Sequence, residues 1–188
     1  MDKEKIETIL QAKNGDKSAL DKIIKEEQGN ICSTLFYLKK DYEDIFDITQ
    51  DILVKLSKKI HQLKNPMLYK SWLNQIVLNT YYDYLRKNKS RKKEINLKKI
   101  DDQNILDIPD YSTNPSNSIL NSELDLVIKT SIDTLPIHYK IPITLREIQG
   151  LSYSEISKVI NSSIGTVKSR IARAREIIKN DIIKYTES

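Results

Sequence analysis

Residues 151–179 read LSYSEISKVINSSIGTVKSRIARAREIIK, and their pattern is the starting point for predicting the fold. Apolar residues recur at helical spacing on both sides of a short polar break, Asn161-Ser162-Ser163. They are Ile156, Val159 and Ile160 before the break, and Ile164, Val167, Ile171, Ala174 and Ile178 after it. Asn tolerates the left-handed backbone of a sharp reversal, and Ser162 or Ser163 can cap a following helix. The pattern predicts two helices joined by a tight turn.

The second of these helices has an outer face that is small, polar and basic. At about 100° per residue, the inward stripe fixes which residues lie opposite. They are Thr166, Ser169, Ala172 and Arg173, with Lys168 and Arg170 on the flanks. A plain helical hairpin with a solvated charged face is one interpretation. The strongly basic face and its small N-terminal half favour the other, a helix-turn-helix whose second helix enters the DNA major groove.

The overall charge fits a polyanionic partner and is unevenly distributed. Net charge is +5 and the sequence pI is about 9.0. Residues 86–99 hold eight basic side chains against Glu94 alone, whereas residues 100–118 hold four Asp and no Lys or Arg. Only four Gly and five Pro accompany many Ile, Leu, Lys and Glu residues, which favours an all-helical protein.

Several classes of protein are disfavoured by what the sequence lacks. One cysteine, Cys32, allows no disulfide framework, and its apolar neighbours predict burial. No apolar run approaches the ~20 residues that span a bilayer, and the N-terminus lacks the apolar core of a signal peptide, so we expect a soluble cytoplasmic protein. His61 and His138 have no metal-ligand spacing, and we find no phosphate loop or nucleophile elbow. We therefore predict no enzyme, cofactor or metal site.

The first half of the chain has the spacing of four helices, at about residues 1–14, 18–39, 42–60 and 67–92. Asp16 is placed to cap the second helix. The first helix would bury Ile6, Ile9 and Leu10, and the third would bury Ile45, Ile48, Ile52, Leu56 and Ile60. The opposite face of the third helix would then expose Asp47, Gln50 and Asp51.

The fourth helix divides into an apolar and a polar side. Leu73, Val77, Tyr81 and Tyr84 cluster on one side, and Asn79, Asp83 and Arg86 form a stripe on the other. Asn and Arg are good readers of base edges, although they are also ordinary surface residues. Trp72 falls on the polar side. Trp72 has two possible roles: burial in the core or exposed stacking on bases.

Residues 94–118 are rich in Asp, Asn, Ser and Pro and predict a linker. Helices are predicted after it at residues 119–134 and 137–149. Pro136 and Pro142 mark the breaks, with Pro142 in a first helical turn. The predicted fold is therefore all-α, with two small helical domains, residues 1–93 and 119–188, joined by the extended linker 94–118.

The segment 132–180, IDTLPIHYKIPITLREIQGLSYSEISKVINSSIGTVKSRIARAREIIKN, resembles the C-terminal domain of bacterial RNA polymerase sigma factors of the extracytoplasmic-function group. The first half agrees with this independently. AKNGDKSALDKII resembles the family's opening helix pair, DITQDILVKL its polymerase-binding helix, and SWLNQIVLNTYYDYLRKNK its promoter-melting helix. The resemblance covers nearly the whole chain apart from the linker, and implies sigma region 2 followed by sigma region 4.

The resemblance implies roles at matching positions. Asp47, Gln50 and Asp51 would dock on the polymerase clamp helices. The turn from Leu63 to Met67, with Lys64 and Asn65, would capture a base flipped from the −10 element. Asn79 would line that pocket, and Asp83 and Arg86 would extend the surface. From its position on the polar side of the fourth helix, we place Trp72 with these −10 contacts. Lys168, Ser169 and Arg173 would read the −35 element, Thr166 and Arg170 would contact phosphates, and Ala172 would lie on the same face.

The partners implied are core RNA polymerase, through the clamp helices of its largest subunit and the flap of the second largest, and promoter DNA in duplex and single-stranded form. An anti-sigma factor, which can be membrane-bound, is also implied. One alternative is a stand-alone helix-turn-helix regulator, which needs only residues 119–188. It leaves DITQD without a role, and residues 1–92 do not resemble a ligand domain. A second alternative, a helical interaction protein, leaves the basic face unexplained.

Overall fold

The computed structural model describes residues 3–39, 44–96 and 123–187, apart from the side chains of residues 89–96. Within these ranges the chain is all-α, as predicted, and forms eight α-helices and two single-turn 3-10 helices. The α-helices are α1 (Lys3–Lys13), α2 (Lys17–Leu38), α3 (Ile45–Lys59), α4 (Tyr69–Asn96), α5 (Glu123–Thr134), α6 (Ile137–Glu147), α7 (Tyr153–Val159) and α8 (Ile164–Thr186). The 3-10 turns, Ile60–Gln62 and Pro66–Leu68, lie between α3 and α4.

Helices α1 to α4 pack in sequence, each against the next. The Asp16 carboxylate starts α2 by accepting hydrogen bonds from the N–H groups of Ser18 (2.8 Å) and Ala19 (3.1 Å), so the predicted cap is confirmed. The predicted stripe of α3, from Ile45 to Ile60, is buried. Each such side chain contributes about 1.5–3 kcal/mol by leaving water, which holds the opposite face of α3 outward.

Three predictions about the first half differ from the structure. Leu10 is exposed, because α1 turns Thr8, Ile9 and Ala12 toward α2 instead. Helix α4 continues past its predicted end to Asn96, so the first three residues of the predicted linker are helical. The remainder of that linker, from residue 97, lies outside the described residues, as do residues 42 and 43 of the predicted third helix.

The second half is built from α5 to α8, with α8 packed against α5, α6 and α7. Pro136 is the N-cap of α6, as its fixed backbone angle suits. Pro142 was predicted in a first turn but lies in the interior of α6, where its missing N–H leaves the carbonyl one turn earlier without an intrahelical donor. Pro142 is itself buried, so packing offsets that loss.

The two halves of the chain pack on each other. Helix α2 contacts α5 and α6, and α4 contacts α7. Buried residues of both halves, including Leu35, Leu38 and Tyr81 from the first and Leu145 and Leu151 from the second, belong to one hydrophobic cluster. This packing sets the helix-turn-helix beside α4.

Candidate nucleic-acid interface

The turn between α7 and α8 has the predicted reversal and cap, and α7 itself begins with a capping box that the sequence analysis did not predict. Ser152 begins α7 with a capping box: its hydroxyl accepts from the Glu155 N–H at 3.2 Å, and the Glu155 carboxylate accepts from the Ser152 N–H at 2.8 Å. Asn161 has a left-handed φ of 49°. Ser163 then caps α8 by accepting from the Thr166 N–H at 3.1 Å. These caps fix the angle at which α8 leaves the turn.

The orientation of α8 agrees with its predicted stripe, except at the start. Val167, Ile171 and Ala174 are buried, and Ile178 is half-buried against the core. Ile164 was predicted to point inward but is 45 % exposed. It is the first residue of α8, so its position lies at the end of the helix and beyond the packed part of the stripe.

The opposite side of α8 brings together the six residues predicted for duplex contact, which we call the α8 face: Thr166, Lys168, Ser169, Arg170, Ala172 and Arg173. Lys168, Ser169, Ala172 and Arg173 are exposed, and Thr166 and Arg170 are half-buried. The Thr166 and Ser169 hydroxyls are held by local hydrogen bonds, to Ser163 Oγ at 2.8 Å and to the Thr166 carbonyl at 3.0 Å. Small side chains near the N-terminal end, with Arg173 one turn later, allow a base edge to approach closely.

A second surface lies on α4, where a groove of about 690 Å³ is lined by Asn79, Tyr82, Asp83, Leu85 and Arg86. We call it the α4 groove. The groove contains all three residues of the predicted polar stripe, Asn79, Asp83 and Arg86. Arg86 donates a hydrogen bond to Asp83, which holds these two side chains together. That hydrogen bond is the main reason that the pKa of Asp83 lies below its ordinary value.

Tyr82 and Leu85 in this groove were missed by the sequence reasoning. Tyr82 is 41 % exposed, so its ring offers a face on which an unpaired base can stack. The signal was its spacing of three residues from Asn79, which places both on one side of the helix.

The remaining residues predicted for the −10 element are not all in that groove. Trp72 is half-buried and packs against the core, with its ring centre 6.1 Å from that of Tyr69. Its exposure is therefore intermediate between burial in the core and the exposed stacking position, the two alternatives for this residue. Lys64, Asn65 and Met67 are exposed in the turn before α4. Asn65 Oδ1 accepts from the Met67 N–H at 2.9 Å and so shapes this turn. Asn79 lies about 15 Å further along α4 at 1.5 Å per residue.

A third surface is the outward side of α3. Asp47, Gln50 and Asp51 are exposed as predicted, and Lys55 pairs with Asp51 at 2.9 Å. Phe46 (61 % exposed) and Val54 (46 % exposed) lie beside them and were missed, although the spacing Phe46-Gln50-Val54 puts them on one stripe. Exposed apolar side chains rimmed by polar ones are typical of a protein-binding surface. We call these five residues the α3 face.

No group of three or more His, Cys, Asp or Glu side chains in the described ranges could hold a metal ion. Among the described helices, none has the length and apolar character needed to cross a membrane. Cys32 is half-buried, less than predicted, with its Sγ 3.3 Å from Thr49 Oγ1.

Comparisons with known proteins match both halves of the chain. The family model for Sigma-70 region 2 matches residues 23–91, and that for Sigma-70, region 4 matches residues 125–178. The ECF RNA polymerase sigma-E factor of Haemophilus influenzae is 33% identical over 178 residues, which is 93% of each chain. That of Escherichia coli K12 is 30% identical over 178 residues, 93% of this chain and 92% of the relative.

A solved structure shows the same fold. The sigma factor RpoE from Bartonella quintana, in complex with the anti-sigma factor NepR, aligns with a TM-score of 0.68 at 20% identity, over 86% of this chain and 95% of that one. Two region models in the family order, together with relatives aligned over nearly their whole length, settle the family. The chain belongs to the extracytoplasmic-function group of sigma-70 family RNA polymerase sigma factors, the DNA-binding proteins of transcription initiation.

Proposed function

We propose that this sigma factor binds core RNA polymerase, reads a −35 element as duplex DNA and opens a −10 element. The observation that supports this most is that one chain carries three exposed surfaces of different chemistry: the basic α8 face, the polar and aromatic α4 groove, and the acidic and apolar α3 face. In this proposal residues 1–93 form region 2, residues 94–118 the linker and residues 119–188 region 4.

The α8 face is proposed to read the −35 element. Arg173 would donate two hydrogen bonds to a guanine edge, the contact that discriminates best among bases in the major groove. Lys168 and Ser169 would contact neighbouring bases, with Lys168 less selective because its ammonium cannot donate in a fixed fork. Thr166 and Arg170 would hold phosphates, and Ala172 would leave room for the DNA.

The α4 groove and the turn before it are proposed to stabilise the opened −10 strand. Taking a base out of the stack costs a few kcal/mol, and stacking on an aromatic ring returns about 1–3 kcal/mol per base. Tyr82 supplies such a ring beside the polar groups of Asn79 and Arg86. Trp72 and the turn residues Lys64, Asn65 and Met67 would hold a second base at the other end of α4. In this mechanism single-strand contacts, rather than nucleotide hydrolysis, offset the cost of opening.

The α3 face is proposed to dock on the clamp helices of the largest polymerase subunit. Phe46 and Val54 would be covered at the centre of the contact, with Asp47, Gln50 and Asp51 around them. This is the usual arrangement of apolar anchors inside a polar rim. Region 4 would meet the flap of the second-largest subunit.

We also propose an anti-sigma partner. The Bartonella quintana factor of the same fold was solved with its anti-sigma factor NepR. A protein that covers the α3 face would compete directly with polymerase. Binding of such a partner would hold the factor in the cytoplasm in an inactive form.

The test is run-off transcription with purified core polymerase over genomic promoter fragments. We expect discrete transcripts that require this chain and carry a shared pair of upstream elements. A chain that binds duplex DNA alone and yields no transcript with core polymerase would instead be a stand-alone regulator.

A further inference from the structure

A lysine that lies between the α3 face and the α4 groove contacts both helices. Lys55 of α3 places its Nζ 2.9 Å from Asp51 Oδ2, on the α3 face. The same ammonium donates a hydrogen bond to Thr80 Oγ1 of α4 at 3.1 Å. Thr80, next to Asn79 in the chain, is buried, whereas the Lys55 side chain is 30% exposed and so has room to change partner. The ammonium is therefore shared between the proposed polymerase-docking helix and the proposed strand-binding helix.

The space around Lys55 is a groove of about 520 Å³ that runs between α3 and α4. Its lining includes charged residues of both surfaces: Asp47 and Asp51 from the α3 face, and Asp83 and Arg86 from the α4 groove. A second contact spans the same two helices, because Tyr84 Oη donates to Asp44 Oδ2 at 2.5 Å. That contact holds the start of α3 against α4, so a change of partner by Lys55 moves side chains rather than helices.

Asp83 is a second carboxylate near the Lys55 ammonium. It lies one turn beyond Thr80 on the same side of α4, because residues three apart are neighbours on a helix. The hydrogen bond from Arg86 is the main cause of the lowered pKa of Asp83, and the charge of Lys55 lowers it further. Two cations therefore compete for one carboxylate. Of the two, Arg86 is the one proposed to hold the opened strand.

We infer that Lys55 couples polymerase docking to strand binding through its choice of carboxylate. When a basic side chain of polymerase pairs with Asp51, Lys55 loses its partner on α3 and turns to Asp83. Arg86 then shares that carboxylate with a second cation and is more available to a phosphate of the opened strand. Lys55 is a positioning residue, because it acts through Asp83 and Arg86. The inference deepens the proposed function of the α3 face and the α4 groove, and it rests on that proposal.

The coupling acts in both directions. Binding equilibria are reciprocal, so a strand held by Arg86 strengthens polymerase docking at Asp51 by the same factor. The size of that factor follows from the exposure of the groups, because one surface ion pair changes an equilibrium by up to about fivefold. The exchange of partners at Lys55 therefore adjusts two binding steps that each have other contacts.

The first test follows Arg86 without polymerase or DNA. Asp51→Asn removes the α3 partner of Lys55, as docking would, and Lys55→Met removes the ammonium but keeps an unbranched side chain. The reporter is the Nε–Hε NMR signal of Arg86, assigned by its loss in Arg86→Gln. We expect Asp51→Asn to shift this signal in the parent chain and to leave it in place when Lys55→Met is already present. No shift, or the same shift in both backgrounds, would overturn the inference.

The second test measures affinity for a labelled oligothymidine strand by fluorescence anisotropy. We expect Asp51→Asn to bind the strand about fivefold more tightly than the parent chain. The gain should vanish in a Lys55→Met or an Arg86→Gln background, and it should persist with Lys55→Arg, whose guanidinium still pairs with either carboxylate.

The matched control is Asp21→Asn, which makes the same charge change on the exposed side of α2. We expect it to tighten strand binding by less than about twofold, because salt screens a distant surface charge. An equal gain from both Asp→Asn changes, or a gain from Asp51→Asn that survives Lys55→Met, would overturn the inference. If no variant binds the strand, the proposed function of the α4 groove fails, and the Arg86 signal alone decides whether Lys55 changes partner.

Discussion

Arg173 and Glu176, three residues apart on α8, form a hydrogen-bonded ion pair of 2.6 Å in which both side chains are 57% exposed. An ion pair so exposed to water stabilises a protein by no more than about 1 kcal/mol. DNA would therefore compete with Glu176 for the Arg173 guanidinium, and breaking the ion pair would reduce the free energy of DNA binding only slightly. The pair holds the proposed base reader at the surface without fixing it to the protein.

Glu176→Gln should strengthen binding to duplex DNA of any sequence. The substitution removes a competitor for Arg173 and a negative charge that repels phosphate, so we expect a gain of up to about 1 kcal/mol. Fluorescence anisotropy with a −35 duplex and a scrambled duplex, at two salt concentrations, measures it. Unchanged affinity for both duplexes would show that Glu176 does not limit DNA binding.

Arg173→Ala should weaken duplex binding at one −35 base pair in particular, by about 1–3 kcal/mol. The measurement compares affinities for a set of duplexes that carry each base at each −35 position. Lys25→Ala, which removes one exposed positive charge from α2, is the control for net charge. An equal loss on all duplexes would reduce Arg173 to a phosphate contact.

Asp51→Arg should prevent association with core polymerase and leave affinity for isolated duplex DNA unchanged. Asp51 is exposed and forms a surface ion pair with Lys55, so we expect the stability to change by no more than about 0.5 kcal/mol. Co-elution with core polymerase in gel filtration measures association. Asp21→Arg makes the same charge change on the exposed side of α2 and should bind core polymerase normally. If both variants bind core polymerase normally, the α3 face is not the polymerase-binding surface.

Asn161 should be replaceable by Gly but not by Val. Its φ of 49° lies in the left-handed region, which costs a residue with a branched Cβ about 1–2 kcal/mol. We expect Asn161→Val to lower the free energy of unfolding by about that amount and Asn161→Gly to leave it unchanged or raise it. Urea denaturation followed by circular dichroism checks this. Equal stability of the two variants would mean that the turn relaxes to another geometry.

The capping box of α7 should make stability depend on pH in the acid range. Desolvation alone would raise the pKa of Glu155, but hydrogen bonds from Ser152 and the charge of Lys70 outweigh it, and the net shift is downward from 4.5. Because the folded pKa is the lower one, the stabilisation is complete above the unfolded value and is lost as pH falls through the folded value.

Glu155→Gln should therefore be less stable than the parent chain at neutral pH, and the difference should shrink as pH falls below about 4.5. Urea unfolding at a series of pH values from neutral to acid measures it. A difference that stays constant across the series would show that the carboxylate charge does not stabilise the cap.

The sequence predicted the elements that depend on local patterns. The cap at Asp16, the cap at Ser163, which was one of two candidates, and the reversal at Asn161 follow from the chemistry of single side chains and their neighbours. Burial along α3 and α8 follows from the period of the helix. Leu10 and Ile164 were predicted to be buried but are exposed. Both lie near helix ends, where the neighbouring helices rather than the helical period decide which residues are covered.

Contacts between distant segments could not be predicted in this way. Phe46 and Tyr82 read as ordinary apolar residues of amphipathic helices, and only the packed structure shows their rings exposed. The hydrogen bond from Gln149 to Thr34 joins residues 115 positions apart and leaves no periodic signal. The polar residues of the three surfaces were predicted, whereas Phe46 and Val54 of the α3 face, Tyr82 and Leu85 of the α4 groove, and the junction of the halves were not.

Whether this chain opens promoter DNA together with core polymerase is measured most directly by permanganate reactivity of unpaired thymines. The reaction uses a promoter that the chain selects, with core polymerase and without nucleotide triphosphates. We expect reactive thymines at the −10 element when chain and core polymerase are both present, and none with polymerase alone or with Asp51→Arg. A promoter that stays fully paired with the unmodified chain, although the chain still binds its duplex, would contradict this expectation.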